Sequence, residues 1–208
     1  MSKCRWPKLR RAGFTLIELM AVIVILSLLT WFLIVNLTDA ERAVDVKVTE
    51  ITGSQIGLTI TQIVEDSGDF PRSNLAGELG APPNNTNLGA EALYLAVCAE
   101  HAPGDGKFDE HLSNTDSDQL AKPAQGFAVA TLFEFCDQWG NPYAYFHHRD
   151  YGRVDIYTTL HPQTGEPIES SVQALKDPRT QRYYKAREYQ LISAGPDCDF
   201  STAADNVT

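Results

Sequence analysis

The chain has 208 residues, 43% of them hydrophobic, with 17 Lys and Arg against 27 Asp and Glu and a formal net charge of −10. That acidity excludes a general nucleic-acid-binding surface, which needs clustered Lys and Arg to attract phosphates. The cysteines form no Cys-x-x-Cys pair of the kind that holds zinc or runs redox chemistry, and no nucleophile elbow, phosphate loop or metalloprotease helix occurs.

The first segment is basic: Lys3, Arg5, Lys8, Arg10 and Arg11 precede Gly13, with no acid among them. Such an excess keeps the N-terminus in the cytoplasm and sends the bulk of the chain across the membrane. From Phe14 to Val35 the only charged residue is Glu18. As a helix, about 22 residues span roughly 33 Å, enough for a bilayer core of ~30 Å. A lone Glu in such a segment costs on the order of 2–3 kcal/mol or more, so a compensating partner is expected. A cleavable secretory signal is the weaker reading, because its apolar core is usually about 7–15 residues long. The small-x-small triplet Thr38-Asp39-Ala40 also follows the whole apolar run rather than a short one.

The run Gly13-Phe14-Thr15-Leu16-Ile17-Glu18-Leu19-Met20-Ala21-Val22-Ile23 resembles the type IV prepilin signature. The resemblance implies that a prepilin peptidase cuts after Gly13 and N-methylates Phe14. Glu18 then becomes the fifth residue of the mature chain and neutralises the Phe14 amine of a neighbouring subunit in a helical filament. The physics agrees. Cleavage creates an α-amine that is mostly cationic at neutral pH, and Glu18 lies four residues on, on the same helical face.

Beyond the span, Asn36 to Asp66 reads as a continuing helix. Val44, Val48, Ile51 and Leu58, extended by Ile56, Ile60 and Ile63, form its expected buried face. Gly53 and Gly57 weaken it by roughly 1 kcal/mol each and mark either a bend or close packing of a head domain. Ser67-Gly68-Asp69-Phe70-Pro71 ends the element. The head then reads as a surface loop over 72–89, a short helix from Gly89 to Ala99 and an acidic loop from Pro103 to Pro123. Strands are expected from Phe127 to Phe135, Tyr143 to His147, Val154 to Thr158 and Glu188 to Ser193. The expected fold class is α+β, a type IV pilin-like fold with a long N-terminal helix packed on an antiparallel sheet. Its segments are 1–13 leader, 14–35 transmembrane helix, 36–66 amphipathic helix and 67–208 head.

Two head motifs resemble the major pseudopilin of type II secretion: Asp137-Gln138-Trp139-Gly140-Asn141-Pro142-Tyr143, and Tyr189-Gln190-Leu191-Ile192-Ser193-Ala194-Gly195-Pro196-Asp197. Gln138 and Cys198 depart from the family's Pro and Gly. Hard oxygen ligands on the C-terminal loop suit calcium, and the resemblance implies a calcium loop there. Asp197, Asp199 and Asp205 are the expected ligands, against a plain solvated tail. Asp105, Asp109, Asp116 and Asp118 do not have EF-hand spacing and read as a solvated loop. On a strand, His147 and His148 point to opposite faces. Trp139 is expected in the core, and Arg179, Arg182, Lys185 and Arg187 on a solvated face. Cys98–Cys136 is the first choice for a disulfide in an oxidising compartment, with Cys198 as another partner and buried free thiols as the alternative.

The combined expectation is a non-enzymatic, single-pass inner-membrane protein with a cytoplasmic N-terminus and a periplasmic head. Its partners are a prepilin peptidase, copies of itself and other pilins or pseudopilins, and an inner-membrane assembly platform. A type II secretion pseudopilin is the first choice and a type IV pilus subunit the alternative. A membrane-anchored periplasmic binding module that never polymerises is the rival from another class.

Overall fold

The computed structural model describes residues 14–75, 83–98, 108–161 and 163–200, leaving aside the side chains of 35–39. The chain divides into two compact units, Met1–Ala43 and Val44–Thr208. Helix α1 (Leu16–Ser67) contributes residues to both and is unbroken at Gly53 and Gly57. In the first unit, Leu16–Ile34 is long and apolar enough to cross a membrane, and its side chains are exposed throughout.

The second unit is α+β. Helix α2 (Leu88–Cys98) is followed by six strands: β1 (Leu112–Ser113), β2 (Glu134–Phe135), β3 (Ala144–His147), β4 (Asp155–Leu160), β5 (Pro167–Val172) and β6 (Tyr189–Ile192). They pair antiparallel as β1–β2, β3–β6 and β4–β5. The β3–β6 pair is buried on both faces, so period-2 alternation sorts its side chains into two cores. Tyr145 and Leu191 join Ile56, Ile60, Leu93, Tyr94, Phe135 and Tyr143 on the α1 side. Ala144, Phe146 and Ile192 join Tyr151, Tyr157 and Val172 on the hairpin side.

The buried face of α1 differs from the expected one. Val44, Ile51 and Leu58 are exposed, whereas Thr49, Thr52, Ile56, Thr59 and Ile60 are buried. Threonine is tolerated there because its hydroxyl finds partners. Thr59 Oγ1 donates to the Gln55 carbonyl (3.2 Å), and Thr49 Oγ1 accepts from Gln138 N (3.4 Å). Neither glycine bends the helix, and Gly57 serves close packing: a Cβ there would lie 2.9 Å from the Tyr189 hydroxyl, whereas one at Gly53 would meet only an ordinary contact with Tyr143 at 3.9 Å.

Several expected elements are corrected. Only Glu134 and Phe135 of the 127–135 stretch form a strand, joined by one bridge between Thr131 and Gln119. Strand β5 lies in a segment for which no element is expected from sequence, and β1 in the acidic loop. The 72–89 loop is only partly a surface segment where it is described: Arg72, Pro83 and Asn85 are exposed, but Ser73, Leu75 and Asn87 are buried. Strand β3 ends at His147 and a 3-10 turn begins at His148, so the two rings do not diverge; their centroids lie 4.2 Å apart. Trp139 is half-buried and belongs to none of the buried apolar clusters among the described residues. Arg179, Arg182, Lys185 and Arg187 are exposed, as a solvated face requires.

Candidate functional site

At the N-terminal apolar helix, Thr15 precedes the first residue of α1 and Glu18 stands in its first turn. Thr15 N and Thr15 Oγ1 both donate to Glu18 Oε2 (2.8 Å each), and Glu18 N donates to Thr15 Oγ1 (3.3 Å). This is a capping box, Thr-x-x-Glu, satisfying helix-end N–H groups that have no intrahelical acceptor. Part of the compensation that Glu18 requires therefore comes from its own chain. Glu18 Oε1 takes no part in the cap, and Phe14 and the apolar residues behind it are exposed.

In the head, the two short motifs meet. Asp137 is buried, and its Oδ1 accepts from Trp139 N and Asn141 N (3.0 Å each) around Gly140, whose φ of +81° suits glycine. Asn141, fully buried, accepts from Leu160 N through Oδ1 (2.9 Å) and donates to Cys198 Sγ (3.4 Å). The Tyr143 hydroxyl donates to the Thr49 carbonyl on α1 (2.8 Å). The turn thus pins β3, β4 and the C-terminal segment to the helix.

A second polar centre lies at the start of α2. Glu91 and Glu134 are each 0% exposed, and one carboxylate oxygen from each of Glu91, Asp116 and Glu134 lies within 4.8 Å of the others. Glu134 is held in place: its Oε1 accepts from Asn87 Nδ2 (3.2 Å) and its Oε2 from Thr115 N (2.9 Å). Asp116 Oδ2 accepts from Asn84 Nδ2 (2.8 Å). Asn87 also accepts from Thr158 N through Oδ1 (2.9 Å), tying this centre to β4. Burial, reinforced by the neighbouring carboxylates, raises the Glu91 and Asp118 carboxyls, and burial pushes Glu134 up to about 8. Hard oxygen atoms in this number are able to hold a divalent cation.

Residues 8–34 match the family model described as the prokaryotic N-terminal methylation motif. The chain fits a type IV prepilin-like protein. No curated protein and no solved structure matches it. Of the residues expected to act in this prepilin-like chain, Phe14 and Glu18 are placed as above, while Gly13 lies outside the described residues. Asp197 and Asp199 share one turn, with Asp199 N donating to Asp197 Oδ1 (3.1 Å); Asp205 lies outside the described residues, as does Asp105. The Cys98–Cys136 disulfide is not formed: Cys98, Cys136 and Cys198 are free thiols, and the first two are buried.

Sequence reading missed Glu91 and Glu134. Each is the only charged residue of an otherwise apolar or aromatic run, Leu88–Cys98 and 127–136. That signal is the one that singled out Glu18. Asp116 and Asp118, read as solvated, instead hold buried oxygens.

Proposed function

We propose that the protein is a structural subunit of a type IV pilus-like filament, and most specifically a pseudopilin of a type II secretion system. The observation that carries the reading is the Phe14–Ile34 surface: a methylation-motif helix with exposed apolar side chains and a cap-held Glu18 at its start. Apolar area of that extent is stable only in lipid or against other helices. The exposed stripe of Val44, Ile51 and Leu58, spaced by seven on α1, offers a second contact row to neighbouring copies. The basic leader supports a cytoplasmic N-terminus and an extracytoplasmic head. The Asp137–Tyr143 turn favours the secretion-type subunit over a pilus subunit through its resemblance alone.

The test is co-expression with a prepilin peptidase followed by mass spectrometry of the N-terminus, with Gly13→Ala as control. A mature chain beginning at methylated Phe14, absent from the control, is the expected result. An intact leader, or cleavage near Ala40, overturns it. A non-polymerising anchor differs in the next step, because its function survives Glu18→Ala whereas filament incorporation does not.

A further inference from the structure

Three carboxylates from three separate segments meet inside the head, Glu91 on α2, Asp116 on the loop before β2 and Glu134 on β2, and Asp118 lies beside Glu91. Five of their oxygens are buried without a hydrogen-bond partner: both of Glu91, both of Asp118 and Oδ1 of Asp116. The ion pairs among the described residues engage Glu50, Asp69, Asp150 and Asp155 and none of these four. An uncompensated buried carboxylate is costly, and so is an unpaired buried oxygen. Elsewhere in the head, buried polar side chains are well met, as at Asp137 and Asn141. Apart from the Tyr94 hydroxyl and His148 Nδ1, the unmet buried atoms among the described residues are all carboxylate oxygens of this group.

We propose that Glu91, Asp116 and Glu134 form a divalent-cation site, occupied by calcium, that fastens the start of α2 to β2 and the 114–118 loop. Glu91 is the decisive residue, because its fully buried carboxylate finds no hydrogen-bond donor outside the acidic group and is aimed into the cluster. One oxygen from each of Glu91, Asp116 and Glu134 lies within 4.8 Å of the others, no farther apart than the ~4.6–5.2 Å that two ligands on opposite sides of calcium span. An all-oxygen set disfavours soft metals, and magnesium keeps several waters, for which two fully buried glutamates leave little room. Asn87, Thr115 N and Asn84 orient Glu134 and Asp116, as outer-shell groups do around bound metals. The site is separate from the Asp197–Asp199 turn and independent of the filament reading.

The full chain in detergent, stripped with EGTA, is titrated with calcium chloride by calorimetry, and its thermal unfolding is followed with calcium and with magnesium. The expected result is calcium binding in the micromolar-to-millimolar range with a rise in Tm that magnesium does not reproduce. Glu91→Gln and Glu134→Gln each weaken binding by at least the ~10–100-fold typical of outer-shell losses, and Asn87→Ala weakens it within that range. The Asp197→Asn, Asp199→Asn, Asp205→Asn triple variant retains the site. If Glu91→Gln loses its near-UV dichroism, Asp116→Asn gives the same reading. Absence of calcium binding, wild-type affinity in Glu91→Gln and Glu134→Gln, or loss confined to the triple variant overturns the proposal. Absence would mean that protons shared between Glu91 and Asp118 neutralise the cluster instead.

Discussion

Ser193 Oγ donates to Asp137 Oδ2 at 2.7 Å, joining two motifs 56 residues apart in the chain. Ser193 in turn accepts from Gly195 N (3.0 Å), so the turn after β3's partner strand is locked to the turn before β3. Burial raises the Asp137 carboxyl, while its hydrogen bonds to Ser193, Asn141 and Trp139 favour the ionised form. Ser193→Ala leaves Asp137 Oδ2 without that donor. The expected cost is about 1–3 kcal/mol, read by denaturant unfolding of the full chain. A cost near zero would show that water replaces the hydroxyl.

Gly89 sits at the start of α2, where a Cβ would overlap the Tyr145 carbonyl and the Tyr157 hydroxyl. Backbone cannot yield as a flexible side chain does. Gly89→Ala should therefore cost about 1–3 kcal/mol or more by overpacking. Gly57→Ala meets only the end of Tyr189 and regains up to ~1 kcal/mol of helix propensity, so it should be the milder change. Paired thermal melts of the two variants give the order directly.

The cap at α1 separates two roles of Glu18. Thr15→Ala removes the hydroxyl partner and costs on the order of 1 kcal/mol of local helix stability. Peptidase cleavage and filament incorporation should persist. Glu18→Ala should be cleaved yet fail to incorporate, because the charge proposed to meet a neighbour's amine is gone. Equal incorporation defects in the two variants would reduce Glu18 to a capping residue.

His147 Nε2 lies 3.4 Å from Asp69 Oδ1, and its Nδ1 accepts from Arg149 N (3.1 Å). Burial holds its imidazole below the usual range despite Asp69, with His148 and Arg149 pushing the same way. The unfolded chain therefore takes up this proton at higher pH than the folded one. Stability from His147 is present at neutral pH and is lost as pH falls through ~6.5 toward the folded value. Between about pH 7.5 and 5.5 the wild-type Tm should fall more steeply than that of His147→Gln. Parallel slopes would remove His147 from the account.

The thiols differ in access. Burial pushes Cys98 up to about 12 and Cys136 well above the usual thiol range, whereas Cys198 is only partly buried. Alkylation of the native chain should modify Cys198 first and reach Cys98 and Cys136 only on unfolding, as peptide mass spectrometry will show. A Cys98–Cys136 crosslinked peptide under non-reducing conditions would contradict the free-thiol arrangement.

Features carried by neighbouring residues were legible in the sequence. The Phe14–Val35 run, α2 and the strands β3 and β6 follow from periodicity and turn chemistry within short windows. Tertiary structure decided what depends on the chain returning to itself. Val44, Ile51 and Leu58 look like a buried stripe by composition, yet Thr49, Thr52 and Thr59 face the core because their hydroxyls find acceptors and donors close by. Glu91, Asp116, Asp118 and Glu134 look like separate charges in the sequence. Only the packing of α2 on β2 and the 114–118 loop removes them from water together, and burial, not residue type, makes them a site.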